Sequence, residues 1–160
     1  MEQWDAYDEN FCRIPGRILI RGEPIPDSLY HLVCDVLVRH TDGDYLLMQR
    51  DPHKHFGGLW EATAGGSALR NETPHDCAHR ELYEETGICS THLAVLGQVK
   101  RPGTIYVEFL CITDCEKDSI RLQAGETVAF RWVSRDTLRA MRPQELVTTR
   151  MQTFLPELQP

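Results

Sequence analysis

Apolar residues recur with the two-residue period of a β-strand in several parts of the chain. Between Tyr30 and His40 they alternate with polar residues, and the intervening positions are themselves partly apolar. This pattern predicts a strand that is covered on both faces. Asp42-Gly43 supplies the two-residue turn of a hairpin, so we expect Tyr45 to Gln49 to return as the partner strand. Further runs predict strands over residues 93–100, 104–113 and 128–133.

The strongest helix signals lie between residues 73 and 87. Thr73 suits the N-cap, and Pro74 suits the first helical position. Asp76 suits the third position of a capping-box-like TxxD. Gly87 suits the left-handed residue that ends a helix. We therefore predict a helix from Pro74 to about Thr86.

Weaker signals predict two more helices near the C-terminus. Ser134 suits the N-cap of a short helix over residues 135–141. Pro143 suits the start of a last helix, in which Leu146, Val147 and Met151 lie close to one face. We expect the tail over residues 155–160 to fray.

The chain has the length of one domain, with 160 residues and no repeat or linker that divides it. The first 29 residues hold several turn formers around a short apolar run at Ile18 to Ile20. We expect residues 1–29 to form an N-terminal extension with a strand or hairpin. Residues 30–160 then form the main domain.

Composition and charge restrict the classes of partner. The chain carries 17 Lys and Arg against 24 Asp and Glu, a formal net charge of −7 at pH 7, which disfavours binding to a nucleic-acid polymer. No apolar run approaches the roughly 18 residues of a membrane helix, and acidic residues stand where a signal peptide would carry positive charge. We therefore expect a soluble cytoplasmic protein with no membrane attachment and with its six cysteines reduced. A phosphorylated partner would need a divalent cation to bring it to this acidic chain.

Three carboxylates crowd one face of the predicted central helix. Glu81, Glu84 and Glu85 stand at spacings i, i+3 and i+4. Two such charges about 6 Å apart repel by roughly 3 kcal/mol at an effective dielectric of about 20. The group is therefore unfavourable unless a cation or an arginine neutralises it, and Mg²⁺ or Mn²⁺ takes oxygen ligands of this kind. The alternative is a solvated acidic face, which is common on helices.

The order of residues around these glutamates favours a site over a solvated face. Glu72 stands eight residues before Arg80, and Arg80 directly precedes the first glutamate. The whole segment resembles the Nudix box, GX5EX7REUXEEXGU with U aliphatic, at every fixed position. The matching residues are Gly66, Glu72, Arg80, Glu81, Leu82, Glu84, Glu85, Gly87 and Ile88. The flanking strands are similar to a bacterial subgroup of this superfamily, which also resembles isopentenyl-diphosphate isomerase.

The resemblance implies both a fold and an activity. The fold is α/β, the Nudix α/β/α sandwich with a mixed β-sheet between helices. The activity is hydrolysis of a phosphoanhydride bond in a nucleoside diphosphate linked to another moiety, a small phosphorylated substrate, with Mg²⁺ or Mn²⁺ as cofactor. The three glutamates would hold the metal together with the carbonyl of Gly66, while Arg80 and Glu72 orient them. Because Nudix relatives are often dimers, the resemblance also allows a homodimer.

The general base is either one of these glutamates or a carboxylate from a later loop. Glu126, just before the strand at residues 128–133, is our candidate for the loop carboxylate, with an ordinary surface glutamate as the alternative. Glu61 and Glu108 are weaker candidates.

Basic and aromatic residues lie between the predicted hairpin and the Nudix box. Arg50, His53, Lys54 and His55 either meet a phosphate or form a solvated loop. We expect Trp60 to be a packing residue, with stacking on a base as the alternative.

Two other functions stay open. An isopentenyl-diphosphate isomerase would carry a catalytic cysteine after the tryptophan, and here Trp60 is followed by Glu-Ala-Thr-Ala-Gly, which counts against that reaction. A non-catalytic nucleotide sensor would keep the fold without turnover. The complete glutamate set argues against a sensor, because binding alone does not require it.

Overall fold

The N-terminal residues form a two-stranded hairpin in a computed structural model, which describes residues 1–158. Strand β1 (Gln3–Tyr7) pairs antiparallel with β2 (Arg13–Ile20). The Trp4 ring stacks on the His31 ring with centroids 4.3 Å apart. The Asp5 carboxylate accepts the backbone N–H of Asn71 at 2.8 Å. The hairpin is therefore anchored to the segment that precedes the central helix.

A seven-stranded mixed sheet forms the centre of the molecule. Its strands are β3 (His31–His40), β4 (Tyr45–Arg50), β5 (Trp60–Glu61), β6 (Ala64–Ser67), β7 (Ala94–Arg101), β8 (Thr104–Thr113) and β9 (Thr127–Val133). The order is β5-β4-β3-β8-β7, with β6 paired to β3 and β9 paired to β4. Strands β3 and β8 are parallel, and the other pairings are antiparallel.

Helices cover both faces of this sheet. Helix α1 (Pro74–Thr86) packs on one face, where Leu82 joins a buried cluster with alternate residues of β3. Helices α2 (Arg135–Ala140) and α3 (Arg150–Phe154) pack on the other face, with Leu37 and Leu47 of the sheet. The predicted α/β sandwich with a mixed sheet is confirmed. None of the helices in residues 1–158 is long and apolar enough to cross a membrane.

Helix α1 has the limits that its sequence predicts. The Thr73 hydroxyl accepts the N–H of Asp76 at 3.1 Å, and the Asp76 carboxylate accepts the N–H of Thr73 at 3.0 Å. Gly87 has a φ of 76°, in the left-handed region, and its N–H donates to the Tyr83 carbonyl at 2.8 Å. These local bonds fix both helix ends and hence the direction of its glutamates.

The predicted strands are found with small shifts at their ends. Strand β7 begins and ends one residue later than predicted, and β9 begins one residue earlier. The short strands β5 and β6 were not predicted. With 2 and 4 residues they are too short to carry an alternating pattern.

The predicted last helix is wrong. Pro143 starts a 3-10 turn that ends at Glu145. Leu146 then forms a bridge with Trp60, and the N–H of Val147 donates to the Trp60 carbonyl at 2.9 Å. Because this pairing keeps the backbone extended, a helix begins again only at Arg150.

The predicted fraying of the tail is also wrong as far as Leu158. A 3-10 turn covers Pro156–Leu158. Leu155 and Leu158 are buried in the second hydrophobic cluster, and Leu158 is only 1% exposed. Burial of two leucine side chains stabilises the ordered tail. Gln159 and Pro160 lie outside the described residues.

Candidate active site

Helix α1 carries its three carboxylates at different depths. Glu85 is 5% exposed. The side chain of Glu81 is 12% exposed and that of Glu84 is 42% exposed. Since Leu82 on this helix is fully buried in the core, the helix cannot rotate to bring all three into water. Two of the three charges are therefore held away from bulk solvent.

Arg80 links these carboxylates to the loop before the helix. Its guanidinium donates to both oxygens of Glu72, at 2.6 and 2.9 Å, in a bidentate pair. It also donates to Glu81 at 2.7 Å, to Glu84 at 3.3 Å and to the Ser67 carbonyl at 3.1 Å. Burial alone would raise the pKa of Glu72, but the bonds from Arg80 leave that pKa lowered. Arg80 thus contacts two of the three carboxylates on the helix.

Gly66 brings the loop backbone against the Glu81 carboxylate. A Cβ atom at Gly66 would lie 2.5 Å from Cδ of Glu81, so any other residue would displace that carboxylate. The Gly66 carbonyl also accepts a weak bond from the Cys77 thiol at 3.5 Å. The two groups predicted as metal ligands, the Gly66 backbone and the Glu81 side chain, therefore lie together.

Glu85 is the one member of the triplet outside the reach of Arg80. Its Oε2 atom is buried and has no hydrogen-bond partner among the described residues. Burial raises the pKa of Glu85 well above its ordinary value, and the nearby charges of Glu61 and Glu81 raise it further. An unpartnered buried carboxylate is costly unless a cation neutralises it.

The donor set fits a hard divalent cation. Glu81, Glu84 and Glu85 offer carboxylate oxygens, and Gly66 offers a carbonyl oxygen beside them. The orphaned Oε2 of Glu85 is the observation that favours the fit. Within residues 1–158, no three His, Cys, Asp or Glu side chains already converge as a formed metal site. Arg80 holds two of the carboxylates, so an ion would share them with the guanidinium or replace it.

Glu126, the candidate loop carboxylate, lies at the same place. It lines a cleft of about 210 Å³ together with Gly66, Arg80 and Glu81. Its side chain forms an ion pair with Lys54, and its carbonyl accepts the N–H of Asp51 at 2.8 Å. The structure therefore brings Glu126 to the carboxylate helix, although more than 40 positions separate them in the sequence.

Glu61 lies close to this cleft and is held by one of the residues that line it. It forms an ion pair with Arg50. Burial raises the pKa of Glu61, and the charge of Arg50 opposes that rise. Glu61 also lines a second cavity, of about 200 Å³, with Asp35, Tyr106 and Arg150.

Glu108 belongs to a buried cluster that the sequence did not predict. Arg150 donates to Glu108 at 2.8 Å and forms an ion pair with Asp35. Burial, followed by the charge of Asp35, raises the pKa of Glu108 to about 7. The sequence offered one signal for Asp35, which is that it interrupts the apolar run of residues 32–38 in β3. Nothing local singled out Arg150, which is 115 positions away from Asp35.

The basic residues at the end of β4 and in the loop after it divide into two groups. Arg50 and Lys54 line the cleft. His53 points into solvent and its Nδ1 lies 2.8 Å from the Asp51 carboxylate. His55 supplies its carbonyl to Arg50 at 3.0 Å.

Trp60 is a packing residue in this structure. It is partly buried against the second hydrophobic cluster. The Arg131 guanidinium lies over its ring, 4.2 Å from the centroid. One face of the Trp60 ring is therefore covered by a protein group.

The chain has a mixed sheet between helices, and beside a cleft it has an acidic helix whose carboxylates contact an arginine. These are the features of the Nudix class of proteins. The chain matches the NUDIX domain over residues 29–158. It therefore belongs to the Nudix hydrolase family, as its sequence motif predicted, and Nudix hydrolases generally use divalent metal ions.

Individual relatives agree with this assignment. An uncharacterised Nudix hydrolase of Listeria monocytogenes is 30% identical over 149 residues, which cover 89% of this chain and 85% of that protein. The crystal structure of DR0079 from Deinococcus radiodurans is similar with a TM-score of 0.70 at 18% identity, over 87% of each chain. The NUDIX domain of Shewanella oneidensis NrtR, crystallised with ADP ribose, is similar with a TM-score of 0.62 at 19% identity, over 78% of this chain and 84% of that one. The two structural likenesses concern the fold alone.

Proposed function

We propose that this Nudix hydrolase cleaves a phosphoanhydride bond in a nucleoside diphosphate linked to another moiety, with Mg²⁺ or Mn²⁺ held by Glu81, Glu84 and Glu85. The substrate class is a small phosphorylated molecule, either a nucleoside di- or triphosphate or a nucleotide conjugate. ADP ribose, which the Shewanella domain binds, is a nucleoside diphosphate joined to a sugar and supports this class.

The observation that carries the proposal is the state of Glu85. Its carboxylate is buried with one oxygen unpartnered among the described residues, and Glu61 and Glu81 lie near enough to raise its pKa. Such a group is stable as an anion only beside a cation. A residue kept for stability alone would be replaced by glutamine or leucine at lower cost.

Each residue has a role in this scheme. A bound divalent ion supplies charge neutralisation of the phosphates and a lowered pKa of the attacking water. Glu85 and Glu81 supply anionic oxygens, and the Gly66 carbonyl supplies a neutral one. Arg80 acts as a positioning residue, because it fixes Glu72 and Glu81 in one orientation.

We propose Glu126 as the general base. It lines the cleft, where its ion pair with Lys54 holds the side chain, and a carboxylate at that place can accept a proton from water. Glu126→Gln keeps the shape of the side chain and removes that capacity, so kcat should fall about a hundredfold. If kcat is unchanged, one of the helix glutamates is the base instead.

We also propose that the chain consists of an extension and a hydrolase domain. Residues 30–160 form the hydrolase domain, and residues 1–29 form an extension in front of it. A homodimer and a cytoplasmic location remain predictions, and nucleic-acid polymers and membranes are not expected partners.

The test is ³¹P NMR of the protein with Mg²⁺ or Mn²⁺ and a panel of nucleoside di- and triphosphates, nucleotide sugars and dinucleoside polyphosphates. Glu85→Gln should lower turnover about a hundredfold while the protein stays folded. Glu116→Gln is the matched control, since Glu116 is exposed and precedes the 3-10 turn Lys117–Ser119, away from the cleft. Equal rates in Glu85→Gln and Glu116→Gln would refute the role of Glu85.

The two alternative functions give different outcomes in the same experiment. A sensor binds a panel member tightly and releases no product. An isomerase shifts the double bond of isopentenyl diphosphate, which is added to the panel for this purpose. No contact in the described residues favours either over hydrolysis.

A further inference from the structure

We propose that the N-terminal hairpin completes the cleft, and that its Arg21 binds substrate phosphate together with Arg50 and Lys54. The inference rests on the proposed function, because it assigns a ligand to the same cleft. It gives the extension before residue 30 a part in substrate binding and makes Arg21 a determinant of affinity.

Three separate segments bring these cations to one place. Arg21 directly follows β2, Arg50 ends β4, and Lys54 lies in the loop after β4. All three line the 210 Å³ cleft with Gly66 and Glu81. Positive side chains from these segments and the carboxylate helix therefore border the same space.

The cleft gathers four cations beside three carboxylates, those of Glu2, Glu81 and Glu126. The chain has a net charge of −7, yet Arg21, Arg50, Lys54 and Arg80 all line one small cleft. Burial lowers the pKa of Lys54 and the charge of Arg50 lowers it further, while the charges of Glu85 and Glu61 oppose the fall and that of Arg21 adds to it. These cations are therefore close enough to repel one another, and a bound polyanion would relieve the repulsion.

Each of the three proposed phosphate ligands has one carboxylate partner in the structure. Arg21 pairs with Glu2 at 3.0 Å, Lys54 with Glu126, and Arg50 with Glu61. The Arg21 side chain is nevertheless 66% exposed. A guanidinium has five N–H donors, and the bond to Glu2 uses one of them, which leaves donors for a phosphate.

The position of Arg21 is fixed by backbone contacts. Its N–H donates to the Glu2 carbonyl at 3.0 Å, which closes the open end of the hairpin. The Gln3 carbonyl in turn accepts the N–H of Arg70 at 2.9 Å. Since residue 70 lies in the loop between Gly66 and α1, the hairpin holds Arg21 at a constant distance from the Nudix box.

A purely structural role for the Arg21–Glu2 pair makes a different prediction. If the pair only stabilises the hairpin, removing either partner should have the same effect on phosphate binding. If Arg21 binds phosphate, Glu2 competes with the substrate for it. Glu2→Gln, which can still accept the Trp4 indole N–H that Glu2 accepts at 2.7 Å, should then bind phosphate at least as tightly as the wild type.

The experiment is a ³¹P NMR titration of the full chain with methylenediphosphonate in the absence of added metal, so that binding reports on the cations alone. Arg21→Gln should weaken binding about five- to tenfold, as expected for loss of a charged hydrogen bond at a partly exposed site. Arg17→Gln is the matched control, because Arg17 is an exposed arginine of the same hairpin outside the cleft. It should bind the probe within about twofold of the wild type.

Kinetics with a cleaved panel member give the second measurement. Arg21→Gln should raise KM by a factor similar to its loss of probe affinity and change kcat less than about twofold, because it contacts phosphate in the ground state as well as in the transition state. Arg21→Lys should recover part of the affinity. The KM of Arg17→Gln should match that of the wild type.

The outcomes separate this inference from the proposed function. Arg21-dependent binding of the probe without turnover of any panel member would support the phosphate site and reject the hydrolase. Suppose that Glu85→Gln loses turnover while Arg21→Gln and Arg17→Gln have equal probe affinity and equal KM. That result would support the hydrolase and overturn the role of Arg21. No measurable binding of the probe by the wild type, or equal weakening by Glu2→Gln and Arg21→Gln, would also overturn it.

Discussion

Replacing Arg80 with lysine should destabilise the protein through lost hydrogen bonds, with the positive charge retained. Arg80 donates to Glu72 through two bonds, and to Glu81, Glu84 and the Ser67 carbonyl through one bond each. A lysine ammonium at the same place can reach two of these acceptors, because it is a single point charge on a flexible stem.

The size of the effect follows from the bonds lost and their exposure. Three bonds to charged or carbonyl oxygens disappear, and a typical hydrogen bond contributes a net of about 1 kcal/mol. Arg80 is about a quarter exposed, so water replaces part of the loss. We expect the free energy of unfolding to fall by about 2 kcal/mol.

Urea denaturation followed by circular dichroism measures this change. With an m-value of about 2 kcal/mol per molar urea for a domain of this size, the midpoint should fall by about 1 M. Arg139→Lys, in the last turn of α2 and exposed, is the matched control and should leave the midpoint unchanged. A shift below about 0.3 M in Arg80→Lys would show that the guanidinium geometry contributes little to stability.

Three further perturbations test other parts of the site. Mg²⁺ at a hundred times its Kd should stabilise the wild type by about 2.7 kcal/mol. Calorimetry should show that Glu85→Gln loses most of this gain in stability. An equal gain in both proteins would contradict the role of Glu85. Gly66→Ala should lower kcat at least about tenfold with an unchanged circular dichroism spectrum, because the added methyl group meets the Glu81 carboxylate. Full activity would refute the close approach of the Gly66 backbone to that carboxylate. Burial, then the charge of Asp35, raises the pKa of Glu108 from 4.5 to about 7 in the folded state, so the folded protein binds the extra proton and stability falls as pH rises through this window. Glu108→Gln should remove that fall in urea titrations at pH 5 and pH 8, and the same pH dependence in both proteins would contradict it.

The parts of the fold that local chemistry determines were predictable from the sequence. Helix α1 has the predicted first and last residues because Thr73, Asp76 and Gly87 satisfy its end groups within a few positions. The spacing of the glutamates on that helix then places them on one side. Only their individual burial required the rest of the fold, since it depends on the sheet beneath Leu82.

The parts that depend on distant partners were not predictable. The extended backbone at Leu146 exists because Trp60 pairs with it, 86 positions earlier. The ion pair between Asp35 and Arg150 spans 115 positions. Arg21 carried no motif at all, and its place in the cleft follows from the way the hairpin docks on the loop before α1. Periodicity and capping signals contain no information about such contacts.

The parallel pairing of β3 with β8 has a consequence for synthesis of the chain. His31 lies opposite Thr104, which is 73 positions later, so β3 leaves the ribosome long before its neighbour exists. At about 5 to 20 residues per second, the delay is roughly 4 to 15 seconds. During that interval one long edge of β3 lacks its hydrogen-bonding partner. Nascent chains halted before residue 104 should therefore be more prone to association than those released after β8 is complete.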